Sequence, residues 1–563
     1  MMRKTINYLT ENLTITTAIV FTLVFTALTL PNLIHQNLVG DEAVYIVEGD
    51  RYLHQAYSYY HNSGSPVLLK VLTAIPFSLL PLDRTYDLYY NQIFTNVYKV
   101  AGFTYIQNKE FVTLIIILAR LPHLLLAIAL GITIFLFAKK YFSVTTGWVA
   151  LTFYTFHASI LAHAATANLD IGVTAFSFWS LCLFYLYLKS SDHSRFLLIS
   201  SGVMLGLAQA TKISAILLFP FIIAWFLISH GHKKLRDIII IILISIGTLW
   251  AVYLFQVGPI LTAEDTPAGI ESVYGGLPVF KEYKSEITEL LYKPVYPLGA
   301  YLNNFAYQLS HSFYGHTNYI DGEFTNTGIW YYIPLVFTIK NSIIFVLACI
   351  LGLSLLYYTK NEHREMHYFL WSWILFVLAW TIQSKLQLGI RYSFPMYPFL
   401  FISAAAGTLH WINTLCKRKY VIPLIVVVLT LYAASTLRVR GDYFTYISEI
   451  YRGDNPVDMV FDSDYDWGQN IYKVAKFQQT KKLYPLFFRG YIGGNFEYEG
   501  IQNAMDPAEA MAKKMDGYYA FSHSAFVNTR LNNPELFSYF YSKRPTYIIG
   551  KNIYVYYTTF PGN

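Results

Sequence analysis

The chain has 563 residues, of which 55% are hydrophobic, 18% aromatic and only 13% charged, with a formal net charge of +7. Soluble globular domains carry roughly 25% charged residues, so much of this surface does not face water and an ordinary soluble domain is excluded. No dense basic stretch sits outside the helix flanks, which argues against a nucleic-acid partner.

Eleven apolar runs approach the length of about 20 residues that a helix needs to cross a hydrocarbon core: 13–33, 111–138, 147–165, 169–188, 196–212, 213–230, 237–257, 331–358, 367–384, 392–412 and 420–437. The first follows Arg3 and Lys4, continues to Leu30 and lacks a small-residue cleavage site, so it reads as a spanning helix and not a signal peptide. The pair at 196–230 could be one run, but Lys212 and Pro220 interrupt it and two spans fit its length better. No internal repeat is apparent, which argues against the repeat-built transporter folds. Cys182 and Cys349 lie in apolar runs and Cys416 lies beside Lys417-Arg418-Lys419, so no disulfide framework is expected.

The basic residues set the orientation. Arg3/Lys4, Lys139/Lys140, Lys189/Arg195, Lys233/Lys234/Arg236, Lys360/Arg364 and Lys417/Arg418/Lys419 fall at every second helix end. By the positive-inside rule these ends are cytoplasmic. The N-terminus is then expected inside, and three long segments outside: 34–110, 258–330 and 438–563. The sequence therefore divides into a transmembrane module, 1–437, and a non-cytoplasmic C-terminal domain, 438–563. The latter has strand-like runs at Tyr547–Ile549 and Ile553–Thr558 and helix-like ones at Asp466–Gln478 and Pro507–Lys514, and reads as a small mixed α/β domain.

Ionisable groups near membrane depth are costly and usually mark function. Here they gather at the expected outer helix ends. Asp41-Glu42 follows the first span by about eight residues; helix capping or a solvated loop would explain it equally well. Asp170 opens the fourth span, where a first-turn acid is common. Lys212 separates two apolar runs on the side where positive residues are disfavoured, which favours an anion contact over snorkelling. Lys385 and Arg391 flank the start of the tenth span. Arginine's planar fork suits phosphate oxygens, and the helix N-terminus adds its dipole. Glu323 precedes the eighth span in an aromatic stretch ending Trp330-Tyr331-Tyr332, which suits an interface belt. Carboxylates suit deprotonation of an acceptor, and cations suit a phosphate leaving group. Together they describe group transfer from a lipid-linked phosphate.

At these residues the chain resembles the GT-C glycosyltransferases, in particular the dolichyl-phosphate-mannose protein mannosyltransferase-like group, which uses polyprenyl-phosphate sugars and includes the lipid A aminoarabinose transferases. Asp41-Glu42 stands where the family has its first acidic motif, and Tyr45 matches the tyrosine that often follows. Asn168-Leu169-Asp170 resembles the second Asp motif, and Ala210-Thr211-Lys212 the Thr-Lys element. Gly322-Glu323 through Trp330-Tyr331-Tyr332-Ile333-Pro334 resembles the stretch before the eighth helix, with Lys340 on the following turns. Gly389-Ile390-Arg391-Tyr392 through Pro395-Met396-Tyr397-Pro398 resembles the Arg-Tyr/His–Pro–Tyr-Pro signature. Asp462-Ser463-Asp464-Tyr465-Asp466-Trp467-Gly468-Gln469 resembles an Asp-Trp-Gly-Gln motif of one bacterial branch. Many relatives carry His-Pro-Pro-Leu after the acidic loop. Here the stretch is Asn62-Ser63-Gly64-Ser65-Pro66-Val67-Leu68-Leu69-Lys70, with His61 nearby, which leaves Lys70 as a candidate phosphate contact.

The resemblance implies a GT-C fold of about eleven transmembrane helices, outer loops with short surface helices, and the C-terminal α/β domain. It implies an integral membrane glycosyltransferase that moves a hexosyl or pentosyl group, with inversion, from a polyprenyl-phosphate carrier to a glycan, lipid or protein acceptor outside the cytoplasm. Asp41 would be the base, Glu42, Tyr45, Asp170 and Glu323 would shape the acceptor side, and Lys212, Arg391, Lys385 and Lys70 would hold the donor phosphate. No metal or other cofactor is expected, because two cations already face the phosphate. The alternatives are a transporter or a lipid-linked oligosaccharide flippase, which would need charges nearer mid-bilayer, and a receptor-like scaffold in which these charges only cap and anchor.

Overall fold

The computed structural model describes residues 2–55, 64–86, 101–191, 194–230, 235–261, 274–275, 277–358, 361–491, 496, 499–502 and 504–560. His61, Asn62, Ser63, Lys233, Lys234 and Lys360, and parts of both long loops, lie outside the described residues.

Six described helices are long and apolar enough to cross a membrane: Asn12–His35, Lys109–Tyr141, Leu169–Lys189, Leu235–Val252, His363–Gln383 and Arg418–Leu437. The predicted pair at 196–230 forms two helices, Arg195–Gln209 and Leu218–His230. A tight turn over Ile213–Leu217, entered through extended Lys212, joins them.

Three further predicted spans are not single α-helices. The run 147–165 divides into Val144–Thr155 and Ala158–Ala164, and the run 331–358 into Tyr332–Lys340 and Ile343–Tyr358. The two breaks support each other. His157 caps the helix after it by accepting from the Ile160 N–H, and its Nε2 lies 2.7 Å from Asn341 Oδ1 at the other break. Asn341 also donates to the Tyr397 hydroxyl at 2.9 Å. Side-chain amide and imidazole groups thus bond one another where helical bonding is interrupted, as buried polar groups require. The run 392–412 opens as a tight 3₁₀ stretch, Ile390–Met396, and becomes α-helical only at Tyr397–Leu415. Pro395 lies within the 3₁₀ stretch and has no N–H to donate to a regular ladder.

The bundle has two chemically distinct ends. At one, Lys139 donates to Thr14 at 2.6 Å and Lys189 pairs with Glu365. At the other, Arg120 meets the chain leaving the first helix, and Asp41 and Asp170 lie near it.

After Leu437 the chain builds a four-stranded sheet in the order Leu486–Arg489, Gly517–Ser522, Ile553–Thr558, Tyr547–Ile549. The first pair is parallel and the others antiparallel. The hairpin Asn318–Ile320/Glu323–Thr325 reaches this unit from the second long loop. Its Asp321-Gly322 turn has positive φ at both residues, the geometry an Asp-Gly hairpin favours. Tyr319 enters the apolar core of the C-terminal unit and donates to the Val457 carbonyl at 2.5 Å. On the other side Tyr443, Phe444, Tyr446 and Trp467 pack into the core of the helical bundle. The C-terminal unit is therefore joined to the helices from both directions, which places Trp467 beside the charged residues singled out in the sequence.

Candidate active site

Glu42 is buried and fully engaged. Its carboxylate receives Arg120 Nε and Nη2 at 2.9 and 2.7 Å, the Val39 N–H at 2.8 Å and the Ala167 N–H at 2.5 Å. Arg120 also donates to the carbonyls of Asn32, Leu33, Gln36 and Asn37, at and just beyond the end of the first helix. The pair ties the end of that helix to the turn before Leu169. It also fixes the backbone at Asp41, which is half-buried and receives the Tyr45 hydroxyl at 3.4 Å. Burial pushes the Tyr45 hydroxyl well above the usual tyrosine range. The charges of Asp41, Asp170 and Glu48 add to the shift and Arg391 opposes it, so all four lie within electrostatic reach of one side chain.

Asp170 is the centre of the cationic half. Asn168 caps the helix Leu169–Lys189 through the Asp170 N–H, which puts the Asp170 carboxylate in the first turn. It meets Lys212 Nζ at 2.7 Å, His163 Nδ1 at 3.6 Å and Arg391 Nη1 at 3.9 Å. Asp170 is 2% exposed, whereas Lys212 keeps 19% and Arg391 12%. The carboxylate is thus the buried anchor, and both cations remain partly exposed. Tyr392 lies under Lys212 at 4.5 Å, and the indole of Trp467 lies under the Arg391 guanidinium at 4.5 Å. Such cation–π contacts fix a cation without neutralising it.

The loop that carries Arg391 is held from the C-terminal unit. Asp464 Oδ1 accepts from the Ile390 N–H at 2.9 Å, and Ser463 Oγ donates to the Leu388 carbonyl at 3.1 Å, which also receives Arg391 Nε at 3.1 Å. Gly389 has φ +86°, and a Cβ there would stand 2.7 Å from Asp464 Oδ1, so both backbone and space require glycine. Buried Lys340 donates to the carbonyls of Phe444, Tyr446 and Asp464 and so anchors the same segment. From Tyr392 an apolar pocket extends between Val173, Leu218, Trp373, Trp380 and Leu386.

The other predicted site residues stand differently. Lys70 is buried; its ammonium pairs with Glu48 at 2.7 Å and donates to the Ser65 carbonyl at 2.6 Å. Lys385 is exposed and its ammonium faces the Phe313 carbonyl at 3.4 Å, near the end of the helix Gly299–Tyr314. Glu323 is exposed on the hairpin that packs against the C-terminal unit, and no described contact joins it to Asp41 or Asp170. Among the described residues no group of three His, Cys, Asp or Glu side chains is placed to hold a metal ion.

Sequence reasoning missed Arg120, Glu48 and Tyr307. Arg120 had a signal: it is the one Asp, Glu, Lys or Arg between Val112 and Ala138, and intramembrane ionisable residues need partners. Tyr307 had none. Burial raises its hydroxyl above the usual range, and Asp41 and Tyr392 add to this, so Tyr307 lies within electrostatic reach of both.

The family model of dolichyl-phosphate-mannose-protein mannosyltransferases matches residues 98–255, the stretch that holds Arg120, His163, Asp170 and Lys212. The match and the helical membrane architecture make the chain similar to the membrane glycosyltransferases of the GT-C class. Solved structures similar to the chain include ArnT from Cupriavidus metallidurans in the apo state, at 13% identity with 97% of each chain covered and a TM-score of 0.45. The same protein bound to undecaprenyl phosphate matches at 12% identity, with 97% of each chain covered and a TM-score of 0.45. The archaeal oligosaccharyltransferase AglB from Archaeoglobus fulgidus, in complex with an inhibitory peptide and a dolichol-phosphate, matches at 11% identity. That match covers 91% of this chain and 70% of that one, at a TM-score of 0.47. No curated protein sequence matches the chain.

Proposed function

We propose that the chain transfers a sugar from a polyprenyl-phosphate carrier to an acceptor on the non-cytoplasmic side of the membrane. One observation carries the reading: Asp170 gathers Lys212 and Arg391, two partly exposed cations, while half-buried Asp41 shares the electrostatic surroundings of Tyr45 with Asp170 and Arg391. In the proposed reaction the Asp41 carboxylate takes the proton of an acceptor hydroxyl or amine. The freed electron pair forms a bond to the anomeric carbon. The bond from that carbon to the phosphate oxygen breaks with its electrons, and polyprenyl phosphate leaves as an anion. Attack opposite the leaving group inverts the anomeric centre. Lys212 and Arg391 stabilise charge that develops on the phosphate, the arrangement most effective in a site poor in water.

Tyr45 and Tyr307 bound the acceptor side in this reading, and Glu42 holds the Asp41 turn rigid. The apolar pocket behind Tyr392 suits the first isoprene units of the carrier, because Tyr392, which lines it, lies under Lys212. Lys212 and Arg391 supply the positive charge a monophosphate donor needs, so no metal is required. Lys70, paired with Glu48, balances charge behind Asp41, and Lys385 serves the approach of the donor.

The test is transfer from a radiolabelled polyprenyl-phosphate sugar by purified protein in detergent or liposomes. Asp41→Asn is expected to lose transfer by at least about a hundredfold, the lower range for a positioned general base. Arg391→Ala is expected to raise the donor KM. Unchanged transfer by Asp41→Asn would remove the base assignment, and no transfer by wild type from any polyprenyl-phosphate sugar would remove the reading as a whole.

A further inference from the structure

We infer that Trp467 is a positioning residue by which the C-terminal unit locks the two halves of the site together; the inference rests on Arg391 as the donor-phosphate ligand. Trp467 touches both halves at once. Its ring lies 4.5 Å from the Arg391 guanidinium. Its carbonyl accepts from the Gly40 N–H at 3.1 Å, immediately before Asp41. The approach at Gly40 is close: a Cβ there would stand 2.0 Å from Trp467 Cε2, and Gly40 has φ +48°. Only glycine meets both conditions without movement. The third side of the ring faces His163, the imidazole beside Asp170, at 5.9 Å between centroids.

Trp467 is itself fixed from the C-terminal sheet. The preceding Asp466 accepts the Ser524 N–H at 2.9 Å and Asn552 Nδ2 at 2.9 Å, and its Oδ1 accepts the Gly468 N–H at 3.2 Å. Gln469 Oε1 accepts the Trp467 N–H at 2.7 Å. A continuous set of contacts therefore runs from Ser524 and Asn552, which flank the strands, through Asp466 and Trp467 to Gly40 on one side and Arg391 on the other. The geometry assigns the C-terminal unit a part in setting the distance between base and phosphate ligand, beyond any part in acceptor recognition.

A guanidinium over an indole in a desolvated site is held strongly enough that its loss weakens phosphate binding by about tenfold. The experiment uses the full chain in detergent with undecaprenyl phosphate as the probe, measuring its Kd together with kcat and donor KM where transfer is observed. Trp467→Ala should weaken probe binding by about tenfold and raise donor KM more than it lowers kcat, and Trp467→Phe should recover most of the loss. The double variant Trp467→Ala/Arg391→Ala should bind no worse than Arg391→Ala, because the tryptophan acts through the arginine. Losses that multiply in the double variant would overturn the inference. If Arg391→Ala binds the probe as well as wild type, the donor-site reading fails. The lock is then decided by thermal unfolding, where Gly40→Ala should lower Tm strongly in wild type and much less beside Trp467→Ala. Equal losses of Tm in both backgrounds would overturn it.

Discussion

Asp41 and Glu42 are adjacent acids with opposite expected phenotypes. Glu42 is 1% exposed and accepts four hydrogen bonds, two of them from Arg120, itself fully buried. Glu42→Gln preserves the shape but removes the charge opposite Arg120 and turns one acceptor into a donor that faces N–H groups. Removing one partner of a buried ion pair costs about 3–5 kcal/mol, because the other charge stays buried and uncompensated. Four backbone carbonyls still receive Arg120, so the loss should fall near the lower bound, about 3 kcal/mol. Asp41→Asn, at a half-buried position, should change stability by no more than about 0.5 kcal/mol while transfer falls at least about a hundredfold. Denaturant unfolding in micelles, read beside transfer on the same samples, separates the two. A Glu42→Gln protein as stable as wild type, or an Asp41→Asn protein that loses stability and transfer in parallel, would refute this division of roles.

Arg391→Lys keeps the charge but loses the planar fork and the stacking on Trp467; donor KM should rise about tenfold, measured by initial rates at varied donor. Burial pushes the Asp466 carboxyl up to about 6, against the opposing bonds from the Ser524 N–H and its other donors. Its folded value lies above its unfolded one, so protonation favours the fold. That contribution, about 3 kcal/mol, is complete below about pH 4 and is lost as pH rises through 6. Unfolding midpoints across pH 4–7 should show this slope in wild type and not in Asp466→Asn. A chelator should leave transfer unchanged; loss of activity restored by a divalent ion would show that Lys212 and Arg391 do not suffice.

Much of the membrane architecture was legible because a hydrocarbon solvent imposes a crude requirement, length and apolarity, that composition reports directly. The breaks at His157 and Asn341 were not legible. His157 reads as an isolated polar group in an apolar run and Asn341 as part of the short polar stretch Lys340-Asn341-Ser342, and only their mutual bond at 2.7 Å, across 184 residues of sequence, explains both breaks. In the C-terminal unit the strands Tyr547–Ile549 and Ile553–Thr558 were readable, whereas Leu486–Arg489 and Gly517–Ser522 were missed. These two pair in parallel and are buried along nearly their whole length, so they lack the alternation that reveals a strand with one wet face. At the candidate site the sequence singled out Asp41, Asp170, Lys212 and Arg391, but the partners that define their states are remote in sequence.

Those partners separate charges that hold the fold from charges that can act. Glu42 with Arg120 and Glu48 with Lys70 are matched pairs, and all four residues are buried. Each pair is neutral as a unit, and neither presents a free face to a ligand. Asp170 is different: one buried carboxylate faces two cations that remain partly exposed. In the proposed reading a phosphate anion meets these cations on their exposed side. A carboxylate lodged against the cations keeps them ordered before a ligand arrives, so less order has to be imposed on binding. The same logic predicts the effect of Asp170→Asn. With the anchor neutral, Lys212 and Arg391 repel one another and spread. The donor should then be bound in a less defined position, and kcat should fall more than donor KM rises. A variant in which only KM changed would show that Asp170 tunes charge and does not set geometry.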